Sequence, residues 1–186
     1  MAKAQDLNEA VEAPTQAVQL SLYIDVHHAR FLHNLGRCLG RFYERTGETE
    51  NLTEAIKTTQ QAIKSVPDDH PDREFMLDSL GSWLERRCEQ TGELRDLTDA
   101  IKTTRQAVES VPTDHADRVT LLHNLRSWAR RRHERTGEMQ DLTEAIKISQ
   151  QAVDSSGKDL TNYAMHLSSL WRCFGTRYVR TVVMKT

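Results

Sequence analysis

The chain has 186 residues, with 25 Lys and Arg against 27 Asp and Glu and a formal net charge of −2. That length suits one domain or two small ones, and the near balance of charge speaks against a dedicated nucleic-acid or polybasic membrane protein. The hydrophobic share of 38% is lean, as in an elongated protein with a thin core.

Three segments recur. ERTGETENLTEAIKTTQQAI begins at Glu44, EQTGELRDLTDAIKTTRQAV at Glu89 and ERTGEMQDLTEAIKISQQAV at Glu134, each 45 residues after the last. A fixed period of this size marks a stacked repeat. In chain order, the first predicted helix covers 5–19, where Leu7, Ala10 and Ala17 match Leu52, Ala55 and Ala62. Pro14 inside it removes a backbone donor at a cost of roughly 3 kcal/mol in a helix interior. That helix is expected to be short, kinked or frayed.

The next helix covers 27–45, where Leu32, Leu35, Leu39 and Phe42 recur at helical spacing. Thr46-Gly47 ends it, glycine suiting the left-handed position after a helix. The following helix, 50–65, carries the stripe Leu52, Ala55, Ile56, Thr59, Ala62 and Ile63. Asn51 with Glu54, Asp96 with Asp99 and Asp141 with Glu144 are expected as N-caps with an acid three residues on. Pro67 and Pro112 stop the second helices, and the loops DDHPD and TDHAD bring acids to the next helix start. The pattern repeats over 72–90 and 95–110, then over 117–135 and 140–155. A last helix is predicted over 160–180, because Leu167 and Leu170 continue the series Leu122 and Leu125.

A helix pair this short cannot bury its own stripe, whereas stacked neighbours can. The expected fold is therefore all-α, an α-α superhelix of about eight helices. It reads as one solenoid domain with a second-helix remnant and linker over 1–26, repeats over 27–71, 72–116 and 117–161, and a partial fourth repeat over 162–186. The unpartnered face of the last helix, Leu167, Leu170 and Phe174, leads us to expect end-to-end self-association.

The unit resembles a tetratricopeptide repeat (TPR). The residues that carry the likeness are Leu32, Leu35-Gly36, Leu39, Ala55, Thr59, Ala62 and Pro67, then Leu77, Leu80-Gly81, Leu84, Ala100, Thr104, Ala107 and Pro112. The third unit keeps Leu122, Leu125, Ala145, Ser149 and Ala152 but has Arg126 for the glycine and Gly157 for the proline. Thr or Ser replaces the family's Phe throughout. The unit is longer than the family's usual 34 residues, the excess being expected in the first helix and the inter-helix loop. Long units of the form LxNLG…RTG…DLxEAIxxxxQAV are similar to the kinesin-light-chain-like arrays of fungal proteins, which often accompany a CHAT peptidase or a NACHT-type NTPase. The resemblance implies a non-catalytic scaffold for protein binding, with a regulatory or sensor fragment of such a larger protein as the alternative.

Chemical motifs are few. His27, His28 and His33 lack the i, i+4 spacing of a metal pair, and HExxH is absent. They read as exposed or groove-lining. Asp69-His70 and Asp114-His115 recur with the helix starts and read as caps. Asn51-Leu52-Thr53 fits a glycosylation sequon but reads as a cap. Ser156-Gly157-Lys158 lacks the glycine-rich loop of a phosphate cradle. Cys38, Cys88 and Cys173 form no CxxC pair and read as reduced thiols. No apolar run approaches the roughly 18 residues of a membrane span, and MAKAQDLNEA has no signal-peptide core. No cofactor, metal or catalytic residue is expected, and the cytoplasm is the expected location.

Arginines are the sharper feature. The segment 118–135 holds Arg118, Arg126, Arg130, Arg131, Arg132 and Arg135. First helices line the concave groove in TPR arrays. Helical phase from the Leu-Gly pair places His33, Arg37 and Arg41 there in the first unit, and Asp78, Ser82 and Arg86 in the second. The third contributes His123, Ser127, Arg130 and Arg131, and the last helix Arg172. Asn34 and Asn124 occupy the position where similar arrays bond a peptide backbone. The expected peptide site is thus Asn34, Arg37, Arg41, Arg86, Asn124, Arg130, Arg131 and Arg172, and the expected partner a protein or acidic peptide.

Overall fold

The computed structural model describes residues 11–18, 27–155 and 160–183. Residues 11–18 form helix α1. Seven helices follow: α2 (His28–Thr46), α3 (Thr49–Lys64), α4 (Arg73–Thr91), α5 (Leu94–Ser110), α6 (Arg118–Thr136), α7 (Met139–Ser155) and α8 (Leu160–Val183). The described residues contain no strand. Each boundary from α2 to α7 falls within a residue or so of the periodicity reading. Two compact units divide the chain within α5, the first ending at Asp96 and the second starting at Leu97.

The joint between first and second helices is built identically three times. Gly47, Gly92 and Gly137 hold φ near +75° (75°, 77° and 74°), where an L side chain would be strained. Each N–H closes the preceding helix, onto the carbonyls of Tyr43, Cys88 and His133. The threonine before each glycine works in both directions. Thr46, Thr91 and Thr136 donate to the carbonyls of Phe42, Arg87 and Arg132. The same hydroxyls accept the N–H of Glu48, Glu93 and Glu138, which ties the residue before the next helix to the turn. Only Gly and Glu separate the two helices, so the unit's excess length is not in this loop. It lies in first helices of 19 residues and in the connections from Ser65 to Asp72 and from Val111 to Asp117.

This geometry corrects the expected caps. Helices α5 and α7 start at Leu94 and Met139, which puts Asp96 and Asp141 inside the first turn and buried. Arg87 grips Asp96 with Nε and Nη2 at 2.7 and 2.6 Å. Arg132 grips Asp141 in the same way at 2.9 and 2.6 Å. These carboxylates lock a first helix to its second. In the first repeat the same positions hold Phe42 and Asn51, and Asn51 donates to Glu48 Oε2 at 2.8 Å instead.

The connections back to first helices are also repeated. His70 and His115 each accept, at Nδ1, the N–H of the aspartate two residues on. The imidazoles thus fix the turn before each first helix, and Asp72 and Asp117 make no side-chain cap, which corrects the capping role expected of these loops. Arg73 Nη1 donates to the carbonyl of Ile63 at 2.8 Å. Arg118 Nη1 donates to those of Val108 and Val111 at 2.6 and 2.9 Å. A cation thus meets the carbonyl end of the preceding helix, where the helix dipole favours it.

In the first unit Leu32, Ala62 and Met76 form a core against which Val18, Ala29, Ile63 and Val66 pack. The alanines of the second helices are fully buried throughout. Gly36 faces Thr59 so closely that a Cβ there would collide with its hydroxyl and sit 3.2 Å from the Ala55 carbonyl. A Phe at position 59 has no room beside that contact. Thr59 and Ser149 satisfy their buried hydroxyls on the carbonyls of Ala55 and Ala145, both at 2.8 Å. In the second unit, Thr104 accepts Trp128 Nε1 at 3.3 Å.

Candidate functional site

In the first unit, one face of α2 and α4 carries two adjoining hollows. One, about 500 Å³, is bordered by Arg30, Asn34, Arg37, Asp72, Phe75 and Asp78. The other, about 320 Å³, is bordered by Arg37, Arg41, Glu44, Asp78, Ser82 and Arg86. Helical phase therefore brings Asn34, Arg37, Arg41 and Arg86 to one face of this unit, with Asn34, Arg37 and Arg41 exposed. The face is mixed in charge. Arg86 pairs with Glu44 at 2.8 Å, whereas Arg37 and Arg41 have no carboxylate partner among the described residues.

His33 lines the larger hollow, as its phase suggested, but from a buried position. It is buried, and its Nε2 meets Ser79 Oγ at 3.0 Å, which ties α2 to α4. Burial foremost, with the Arg37 charge adding and Asp72 opposing, pushes its pKa from 6.5 down to about 4. The unfolded chain therefore takes up a proton between about pH 6.5 and 4 that the folded chain refuses. Stability from this site is complete above pH 6.5 and falls as pH drops to 4. At about 1.4 kcal/mol per pKa unit the loss is at most about 3.5 kcal/mol. Urea unfolding of His33→Gln beside wild type should show a shallower fall over that window. Parallel pH profiles would contradict the assignment.

In the second unit the arginine-rich helix α6 resolves into separate duties. Arg118 caps the preceding helix, and Arg132 holds Asp141. Arg130 pairs with Glu134 one turn on. Arg131 lies over the Trp128 ring, 5.9 Å from its centroid. Arg126, in the place of the repeat's glycine, is buried. Asn124 is half-buried and Arg172 exposed. His123 accepts from Arg126 at 3.3 Å, and burial followed by the Arg126 charge lowers its pKa.

On α8, Leu170 is buried, which corrects the expectation that it is exposed. Its helix partners α7 closely enough to cover that position. Leu167 and Phe174 are exposed as expected, joined by Trp171, Tyr178 and Val179. The three cysteines are free thiols, Cys88 and Cys173 buried. No helix among the described residues is long and apolar enough to cross a membrane.

No family model matches the sequence, and no curated protein does. Among solved structures, the chain is similar to the nearly identical TPR-like repeats of a putative kinesin light chain from Podosopora anserina. The TM-score is 0.68 at 18% identity, covering 98% of this chain and 84% of that one. A single-substitution variant of that protein gives the same values, 0.68 and 18%, with the same coverage. The fold is thus an all-α solenoid of TPR-like helix pairs.

Proposed function

We propose that the chain is a non-catalytic, cytoplasmic protein-interaction module whose first helices bind an acidic peptide, extended or helical. The observation that supports this reading is the exposed face of α2, where Asn34, Arg37 and Arg41 stand beside the two hollows. Guanidinium groups meet carboxylates in a bidentate way, which sets orientation as well as charge. The Asn34 amide both donates to and accepts from a peptide backbone. Asn124, Arg130, Arg131 and Arg172 are the proposed contacts in the second unit, and Arg86 joins by exchanging Glu44 for the ligand. The interleaved Glu44, Asp72 and Asp78 favour a peptide of mixed charge over a plain polyanion.

Exposed ion pairs are worth about 0–1 kcal/mol each, so several must act together to approach micromolar affinity, about −8 kcal/mol. Binding should weaken with salt. Charge reversal at Arg37 and Arg41 together is the test. Acidic peptides on an array should lose at least about tenfold in affinity, the equivalent of about 1.4 kcal/mol. Undiminished binding would reject the groove and leave these arginines as a solvated face.

End-to-end self-association is proposed from the apolar residues exposed on α8, and sedimentation at rising concentration tests it. The reading as a regulatory fragment of a CHAT-peptidase or NACHT-type protein rests on the sequence resemblance. A Cys/His peptidase or P-loop segment encoded alongside would support it.

A further inference from the structure

The first helix of the third repeat departs from its predecessors along one seam. Helix α2 carries Gly36, Gly40 and Tyr43 there, and α4 carries Gly81, Glu85 and Cys88. Helix α6 carries Arg126, Arg130 and His133 at the same positions. In α2 the seam is close-packed, with Gly36 against Thr59, Gly40 against Trp83 and Tyr43 buried. In α6 two of the replacements are buried even so, Arg126 at 6% and His133 at 2% exposure. A buried cation without a counter-charge is costly.

The seam borders a small cavity of about 110 Å³ within the second unit, open to solvent on the side of Glu134, Arg172 and Thr176. Arg126, Arg130 and His133 line it from α6, and Ser169, Arg172 and Thr176 from α8. Glu134 is the one carboxylate on its wall, and it is paired with Arg130. Neither Arg126 nor Arg172 has a carboxylate partner among the described residues. Among the described residues the Arg126 side chain meets soft or neutral neighbours, His123 Nδ1 at 3.3 Å and the nearby Cys173 thiol. Its Nε is shut away from solvent without a partner, and so is His133 Nε2. His133 Nδ1 lies 2.8 Å from the Glu138 carbonyl and donates to it; in that Nδ1–H tautomer Nε2 is an acceptor.

We propose that this cavity is a binding site for inorganic phosphate. Three guanidinium groups against one carboxylate leave a positive surplus that a dianion neutralises. The space is a few times the roughly 30 Å³ that one water occupies in the liquid, which suits a tetrahedral oxyanion. Phosphate oxygens accept from the guanidinium groups, including the orphaned Arg126 Nε. Hydrogenphosphate also keeps one P–OH, a donor for His133 Nε2 that sulfate lacks. Burial foremost lowers the Arg126 pKa, and the Arg130 and Arg172 charges push the same way. A bound dianion opposes all three.

Thermal unfolding of the full chain tests the site, with sodium phosphate compared against sodium chloride and sodium sulfate at matched ionic strength. Phosphate at ten times its Kd should raise Tm by about 3–6 °C, sulfate should raise it less, and chloride should not raise it. Arg126→Gly restores the residue of the first two repeats and should abolish the phosphate shift while unfolding stays cooperative. Arg172→Gln, at the exposed rim, keeps the test decisive if that variant does not fold, and should weaken phosphate about tenfold. The charge-reversed Arg37 and Arg41 protein should keep the shift, which separates this site from the peptide face of the first unit. Equal shifts in phosphate and chloride, or a shift retained in both cavity variants, would overturn the proposal. A shift produced by a phosphoserine peptide but not by free phosphate would overturn it too, by assigning the oxyanion to a modified partner.

Discussion

Asp141→Ala should destabilise the protein by about 3 kcal/mol, at the lower end of what breaking a buried ion pair costs. The carboxylate is buried, and both its oxygens accept from Arg132, at 2.6 and 2.9 Å. That hydrogen bonding raises the Arg132 pKa, with burial opposing and the Asp141 and Glu144 charges adding. With Asp141 gone, the guanidinium keeps a long hydrogen bond to Thr98 Oγ1, at 3.5 Å, and the more distant Glu144 charge. Its side chain retains 21% exposure, so water relieves part of the loss. Arg132→Met with Asp141→Leu should recover most of it, because a well-packed apolar pair of similar volume substitutes for a buried ion pair at little net cost. Urea unfolding of the single and double variants reads both effects. A loss below about 1 kcal/mol for Asp141→Ala would mean that the pair behaves like a surface salt bridge.

Trp83→Ala should cost about 3–5 kcal/mol, as a large buried aromatic does. Its indole lies on Gly40, where an added Cβ would come within 2.7 Å of three ring atoms. Gly40→Ala alone therefore sets two terms against each other. Alanine gains about 1 kcal/mol of helix propensity over glycine, but overpacking a core costs typically 1–3 kcal/mol. Trp83 is buried and the ring is rigid, so the clash should win by about 1 kcal/mol. In a Trp83→Leu background the ring is gone, and Gly40→Ala should turn stabilising, by up to about 1 kcal/mol. Denaturant midpoints of the four proteins in this cycle give the sign directly. If Gly40→Ala destabilises equally with and without the indole, the ring contact is not what restricts this position.

Much of the fold was legible from period alone. Leu32, Leu77, Leu122 and Leu167 recur every 45 residues, and between them the apolar spacing has the pitch of a helix. Thr46-Gly47 and its two copies marked the turns, because the left-handed backbone there needs glycine. Roles of charged residues were less legible. Asp96 looked like a cap because it precedes an apolar run by one position, yet the helix begins two residues earlier at Leu94. One turn of a helix is enough to move a carboxylate from solvent to the face that meets Arg87. Arg126 was visible as a departure from the repeat's glycine, but nothing local said that it would be buried.

What the sequence by itself determined is the all-α repeat, its period and the turns between helices, since these depend on residues within a few positions of one another. Only the tertiary structure decided which arginine caps a helix, which holds a carboxylate and which lies buried over the cavity between α6 and α8. Those roles depend on partners in other elements, such as Asp141 for Arg132, 9 residues on, and Ser79 for His33, 46 residues on. Helical phase assigns a side chain to a face. The neighbour packed on that face then decides whether its charge meets water, a carbonyl or a carboxylate, because desolvation acts only once the second helix has docked.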